Sequence, residues 1–178
     1  MDCGSILPLI KRAEAEGYGD PPPLRHDELP ILEDWTPYLL VAYVFDHPDH
    51  FEYVTFGHCE QLGLRTGDLR ALAVGNLMKR RPFPEIRQIP GAAMFVLDGD
   101  LESSLLLVNE IWSRVAPSFD GDLIAAVPAR DILLVTGSGV PDGMSVLRHG
   151  IDSVWRRSET RLLLTKSLLF RDETSWRH

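Results

Sequence analysis

The longest uninterrupted apolar run of the chain, Tyr38–Phe45, constrains the fold most. It has eight residues, well short of the roughly 20 that cross a bilayer as a helix. It is rich in β-branched and aromatic side chains, which predicts a buried strand. The polar turn Asp46–His50 and the strand-like segment Phe51–Phe56 complete a predicted hairpin.

Other segments show helical apolar spacing or strand composition. A short helix is expected over residues 5–16, followed by a proline- and glycine-rich arm that reaches Pro30. Thr66 is expected to cap one further helix and Asp100 another, and Asp142 is the expected cap of the last one. The predicted further helices cover residues 67–81, 101–115 and 143–156, and the predicted further strands cover 92–97, 123–127, 132–136 and 162–170.

Hairpins and helices are mixed in this order, without strict alternation of strand and helix. The pattern predicts an α+β fold, an antiparallel-rich mixed sheet with helices packed on it. Residues 1–30 are expected to form an N-terminal helix and a proline-rich arm. Residues 31–178 are expected to form a single domain, since domains commonly have roughly 100–200 residues.

The composition argues against several classes of function, among them nucleic-acid binding and membrane binding. The formal net charge is -8, from 26 acidic and 18 basic residues, which disfavours binding to nucleic acid or to an anionic membrane. Cys3 and Cys59 are expected to be free thiols in a reducing compartment. No cysteine and histidine spacing typical of zinc is present, so no metal and no cofactor are predicted. The expected location is cytoplasmic.

Three carboxylates, Asp98, Asp100 and Glu102, follow the predicted strand 92–97. Such a group can hold a hard cation such as Mg²⁺ or Ca²⁺. The alternative is structural: Asp98 lies in a turn with Gly99, and Asp100 and Glu102 begin a helix, where negative charge is stabilising. The structural interpretation is favoured.

Arg130 and Asp131 lie in the short connection between two predicted strands. Arg130 can bind an anionic ligand while Asp131 orients its guanidinium group. Proline, arginine and aspartate are also ordinary residues of an exposed hairpin turn. Arg130, Asp131 and Asp98 are therefore the candidate ligand-binding residues, and no residue is assigned a catalytic role.

Weaker signals have structural explanations as well. The glycine-rich loop Thr136–Gly143 can cradle phosphate, but it lacks a known phosphate-binding motif. His58 and Cys59 are adjacent, yet a catalytic pair is normally assembled from distant segments. Ser103 and Ser104 lie in no nucleophile motif. Two further histidines, His47 and His50, lie near His58 in sequence, and three such histidines can bind a transition metal adventitiously. Asn76 is expected to tether a neighbouring loop.

Four segments of the chain form a recognisable pattern. They are VAYVFD at 41–46, ALAVGNLMKR at 71–80 with Asn76 and Leu77, DGDLESSLLL at 98–107 followed by Trp112, and GDLIAAVPARDILLVTGS at 121–138. In this order they resemble the YtpQ-like family of uncharacterised bacterial proteins. The resemblance covers roughly residues 38–170 and implies a bacterial cytosolic protein, but no reaction. The order of elements is also similar to that of type III secretion chaperones, a likeness of architecture only.

Two functions follow as hypotheses. The first is a non-enzymatic binding or adaptor protein with a protein partner. The second is an enzyme with a metal or phosphate-ligand site that uses the 98–102 carboxylates or Arg130. A homodimer is a further expectation, because Trp35, Trp155 and Trp176 lie outside the strongest core patterns and aromatic residues are enriched in interfaces.

Overall fold

The structure is a computed structural model that describes residues 2–13, 24–80, 83–157 and 162–178. It contains two units, Met1–Pro82 and Phe83–His178. The boundary between the units falls inside the expected domain of residues 31–178. That residues 31–178 form a single domain stays a prediction. The first unit consists of strands β1 Ile6–Arg12, β2 Leu32–Thr36, β3 Leu39–Asp46 and β4 Phe51–Tyr53, and helices α1 Phe56–Leu62 and α2 Leu69–Arg80.

Strand β3 is the centre of the first unit's sheet. It pairs antiparallel with β1 along one edge and with β2 and β4 along the other. Residues 39 and 41–45 are at most 1 % exposed, because the apolar run contributes to both faces of the sheet. The strand and hairpin predicted from this run are therefore confirmed.

The predicted helix over residues 5–16 is wrong, because Ile6–Arg12 is a strand. Pro8 would remove a hydrogen bond from the interior of a helix. On β1, which pairs only with β3 within the described residues, a proline is tolerated. Residues 14–23, including much of the predicted arm, lie outside the described residues.

Helix α2 is anchored to the N-terminal segment by Asn76. This side chain is 6 % exposed, and its amide nitrogen donates to the carbonyl oxygens of Cys3 at 2.7 Å and Ile6 at 3.0 Å. The expected tether is therefore confirmed. Thr66 begins a short 3-10 turn and α2 itself starts at Leu69, two residues later than the start at Gly67 that Thr66 capping would give.

A second polar contact joins α2 to the sheet. The hydroxyl of Tyr43 donates to Glu33 Oε2, and Arg70 lies 2.8 Å from Glu33 Oε1. Burial raises the pKa of Tyr43, and the bond to Glu33 raises it further. Burial also raises the pKa of Glu33, but the hydrogen bonds from Arg70 and Tyr43 outweigh it, so this pKa lies below its ordinary value.

Replacing the tether should destabilise the first unit. Asn76→Ala leaves two carbonyl acceptors without their donor, so we expect the free energy of unfolding to fall by about 2–3 kcal/mol. Urea denaturation followed by circular dichroism measures the change. Gln61→Ala, at an exposed position of α1, is the control and should change stability by less than about 0.5 kcal/mol. Equal effects of the two substitutions would contradict the role of Asn76.

The Glu33 contacts predict a pH dependence of stability. Because the pKa of Glu33 is lower in the folded chain, its contribution is fully present above the unfolded pKa of about 4.3 and is lost as pH falls through the folded pKa. Glu33→Gln should therefore flatten the fall of the urea midpoint between about pH 6 and pH 3. Glu60→Gln, at an exposed position of α1, should keep the wild-type slope. An unchanged slope in the Glu33 variant would refute the assignment.

The second unit is built on a six-stranded sheet with the order β10-β9-β7-β8-β6-β5, and every neighbouring pair is antiparallel. Its elements are β5 Glu85–Ile89, β6 Ala92–Val96, α3 Asn109–Val115, β7 Leu123–Ala129, β8 Ile132–Gly137, α4 Gly143–Arg157, β9 Leu168–Arg171 and β10 Trp176–Arg177. Strands β6, β7 and β8 and helix α4 confirm predictions.

The two faces of this sheet are covered by different elements. Helix α4 covers one face through Leu147 and Ile151. On the other face the Trp112 ring packs against Phe95 and Trp176, with ring centroids 5.1 and 5.0 Å apart. Trp176 is buried, so its expected place at an interface is wrong, because it completes the core of its own unit.

The predicted continuous helix over residues 101–115 is also wrong. A 3-10 segment, Ser103–Leu107, precedes the short helix α3. The six residues predicted for its apolar face, Leu101, Leu105, Val108, Ile111, Trp112 and Val115, are nevertheless all buried. Leu106, outside the predicted face, is buried as well. Buried side chains therefore lie on more than one side of this segment, and their burial does not require a helix with a single apolar stripe.

The architecture confirms the predicted α+β class. Both sheets of the described chain are antiparallel, and helices α2 and α4 contact them. Among the described residues, no helix combines the length and the apolar content needed to span a bilayer.

Candidate functional site

The structure places the three predicted ligand-binding residues at one end of the β7–β8 hairpin and the loop after β6. Arg130 forms an ion pair with Asp100, at 2.5 Å. Its backbone is also held, because Arg130 N–H donates to Leu162 O at 2.9 Å and its carbonyl accepts from Ser103 N–H at 3.0 Å. Arg130 is thus built into the fold and is not an exposed hairpin tip.

Glu102 has a structural contact that was not predicted. It is 2 % exposed, and its Oε1 accepts from the N–H groups of Leu97 at 3.0 Å and Gly99 at 2.7 Å. Asp98 accepts from the N–H group of Asp100. The carboxylates therefore hold the turn after β6, but Asp100 pairs with Arg130 and does not cap a helix as expected.

These acids do not form a metal centre. Within the described ranges, no group of three or more histidine, cysteine or acidic side chains is arranged to hold a metal ion. Ser103 and Ser104 are buried, so neither presents a hydroxyl group to a substrate. The geometry favours the structural interpretation of this region.

Glu52 lies between two of the histidines singled out in the sequence, His47 and His58. His47 Nε2 lies 2.9 Å from Glu52 Oε2, and His58 Nε2 lies 3.7 Å from Glu52 Oε1. His58 Nδ1 accepts from the N–H group of Thr55, which closes the cap of α1. Cys3 and Cys59 are free thiols, as predicted, and burial raises the pKa of Cys59, with a smaller rise from Cys3. Burial and a raised pKa both argue against Cys59 as a nucleophile.

The glycine-rich loop packs closely on the segment before β7. A Cβ atom on Gly137 would lie 2.1 Å from the carbonyl oxygen of Asp120, and one on Gly139 would lie 2.5 Å from its carboxylate carbon. Gly139 N–H donates to Asp120 O at 2.8 Å. Glycine is therefore needed at both positions because the loop lies too close to Asp120 to leave room for a Cβ atom. Asp142 has φ 61 and starts α4 through its carbonyl oxygen, which accepts from Val146 N–H.

This packing borders a cavity of about 450 Å³ in the second unit. Its apolar wall is formed by Ile86, Ile89, Ala92, Val115, Phe119 and Val140, and its polar positions are Gln88, Ser118, Asp120 and Thr136. The hydroxyl group of Thr136 already has a hydrogen-bond acceptor, because it donates to Gly91 O at 2.8 Å. Among the described lining residues, Asp120 is the one with an ionisable side chain, and it is exposed.

Volume and lining make this cavity the candidate functional site. Pockets of roughly 300–1,000 Å³ with apolar walls and a few polar groups are typical of ligand sites. No sequence pattern marks this cavity, because its lining comes from strand β5, the end of α3 and the loop after β8, which are far apart in sequence. The one available signal was the glycine-rich loop, whose glycines make room for Asp120.

Comparison with known proteins identifies no relative of this chain. No family model, no curated protein and no solved structure matches it. The site must therefore be interpreted from its own chemistry.

The contacts of Glu102 predict how the region responds to substitution. Glu102→Ala removes the acceptor of two backbone N–H groups and leaves a void, so we expect a loss of about 2–4 kcal/mol in the free energy of unfolding. Glu102→Gln keeps one acceptor oxygen and should lose less than half as much. Urea denaturation measures both. If the glutamine variant is as unstable as the alanine variant, the hydrogen bonds to Leu97 and Gly99 do not explain the role of Glu102.

Proposed function

We propose that the protein is a non-enzymatic binding protein whose cavity receives an apolar group that carries a positive charge. One observation carries this proposal: Asp120 is the single ionisable side chain among the described residues that line the cavity. The other lining side chains supply apolar surface or uncharged polar groups.

A lone carboxylate in an apolar cavity suits recognition better than catalysis. Acid–base and nucleophilic reactions generally use several groups within hydrogen-bond reach of one another. A bound cation needs only one negative partner and an apolar wall that excludes water from the rest of the ligand. The net charge of -8 also favours the approach of cationic ligands.

The cationic group can belong to a free amine or to a basic side chain of a protein partner. The second source makes the protein an adaptor, the role expected from the sequence. Its action in the bacterial cytoplasm is part of the same proposal and rests on the resemblance to the YtpQ-like family. Both sources share the same recognition chemistry, a charged nitrogen beside Asp120 with an aliphatic or aromatic body against Ile86 and Phe119.

An enzymatic role for the 98–102 carboxylates or Arg130 has less support. Asp100 and Arg130 neutralise each other, and Glu102 binds backbone N–H groups. An anionic ligand would have to displace Asp100 from Arg130. Thermal-shift measurements with Mg²⁺, Ca²⁺ and ATP test this alternative, and a clear rise in melting temperature with one of them would revive it.

The binding proposal predicts an order of affinities for matched probes. Isothermal titration calorimetry of the full chain should show hexylamine binding more tightly than hexanol, and hexanol more tightly than hexanoate. Asp120→Asn should weaken hexylamine binding about five- to ten-fold, which corresponds to about 1–1.4 kcal/mol, and should leave hexanol unaffected.

Asp122→Asn is the matched control, because Asp122 is exposed on the same turn and does not line the cavity. A short peptide with a lysine between two leucines distinguishes the two sources of the cation. Tighter binding of the peptide than of hexylamine favours an adaptor, and weaker binding favours a small-molecule ligand. Equal affinity for the amine and the carboxylate, or no effect of Asp120→Asn, would sink the proposal.

A further inference from the structure

Strand β5 forms an open edge of the second unit's sheet. It is the last strand of the order and pairs only with β6 within the described parts of the chain. An edge strand presents unpaired backbone N–H and C=O groups, which can pair with another strand. The side chains along β5 determine which partner fits.

The turn after β5 sets the direction of its backbone groups. Ile89 and Ala92 are paired across the two residues Pro90 and Gly91, and Gly91 has φ 78. The residues that flank a two-residue turn form a hydrogen-bonded pair, and such pairs recur at every second position. Glu85, Arg87 and Ile89 therefore direct their backbone groups towards β6, and Ile86 and Gln88 direct theirs outwards.

The charges of β5 are complementary to those of a second, antiparallel β5. Glu85 and Arg87 lie on one face on either side of Ile86. They form an exposed ion pair at 2.8 Å, with side chains 60 % and 57 % exposed. In an antiparallel arrangement centred on Ile86, Glu85 of each copy lies opposite Arg87 of the other. Cross-strand pairs of opposite charge are stabilising, and like charges are destabilising.

We propose that the chain forms a homodimer in which two β5 strands pair antiparallel about a two-fold axis at Ile86. The two Ile86 residues exchange backbone hydrogen bonds, and each Gln88 N–H donates to Pro84 O of the other copy. Proline at residue 84 supplies no N–H, which ends the pairing there. The two six-stranded sheets thereby become one continuous sheet of twelve strands.

Apolar side chains lie at both ends of this register. Phe83, which is exposed, is opposite Ile89 of the second copy. Arg114 lies over the Phe83 ring, 4.2 Å from its centroid, and so adds a further charged group beside the interface. Aromatic and β-branched residues are favourable cross-strand partners.

The neighbouring registers fit less well. Centring the pair on Arg87 places the two Arg87 side chains opposite each other. Centring it on Gln88 leaves Glu85 opposite Gly91, with no charge to pair. The charges thus select the register centred on Ile86, and they select a second copy of this chain as the occupant.

The dimer is independent of the proposed ligand, although the two surfaces adjoin. Ile86 and Gln88 line the cavity, so the second copy would lie along the cavity's β5 side. Asp120 is not in the pairing register, and Asp120→Asn should leave the dimer intact. Failure of ligand binding and failure of dimerisation can therefore be told apart.

Sedimentation equilibrium of the full chain, from about 1 to 200 μM, tests the proposal directly. This concentration range suits a contact made mainly by one pair of strands, because small interfaces are typically weak. Wild-type protein should be dimeric at the upper concentrations. Glu85→Arg makes the strand doubly positive and Arg87→Glu makes it doubly negative, so each variant alone should raise the dissociation constant at least ten-fold.

Mixing the two single variants should restore association, because every cross-strand pair is then of opposite charge. The double variant E85R/R87E should dimerise like the wild type. Ile86→Pro should abolish the dimer but keep the circular dichroism spectrum, because the N–H group it removes points away from β6. A wild-type chain that stays monomeric would overturn the proposal. So would a dimer that neither charge reversal nor Ile86→Pro weakens.

Discussion

Strands buried on both faces need backbone partners on both edges, and this requirement governs the structure of each unit. β3 and β7 are largely buried, and each is flanked by antiparallel neighbours. Buried polar side chains complete the pairing where the strands end. Asn76 binds carbonyls of the N-terminal segment, Glu102 binds the turn after β6, and Thr136 binds the turn before it. These residues serve the backbone, because an unpaired buried amide or carbonyl is costly.

The need to pair buried backbone groups also distinguishes the acidic residues with a structural role from Asp120, the acidic residue of the candidate site. Asp100 and Glu102, which attract attention in the sequence as a possible cation site, are occupied by Arg130 and by backbone N–H groups. Asp120 is an exposed carboxylate beside an apolar cavity. Its position depends on Gly137 and Gly139, which let two backbone segments approach closely. The candidate site of the second unit therefore contains an acidic residue that no sequence motif marked.

Particular elements show which predictions succeed and which fail. β3, β7 and β8 are predictable because each is a nearly continuous apolar run, and α4 is predictable because its apolar residues have helical spacing. β2 and β5 were missed because edge strands are short and partly polar. The sequence of β1 predicts a helix wrongly, because an apolar run of five residues that includes Pro8 is compatible with either structure until its partner strand is known. Residues 101–107 predict a helix wrongly, because burial from several sides resembles a helical stripe in a one-dimensional pattern.

The sequence by itself determined the α+β class, the central strands, the two free thiols and the acidic character, since composition and local periodicity fix all of these. Only the tertiary structure decided that Arg130 pairs with Asp100, that Asp120 borders a cavity and that the backbone groups of Ile86 point to the open edge of the sheet. Each of these facts depends on segments that are distant in sequence or on the pairing phase of a strand. A local sequence pattern does not show which distant segments of the chain lie next to each other in the fold. A site forms only where such segments bring their side chains together.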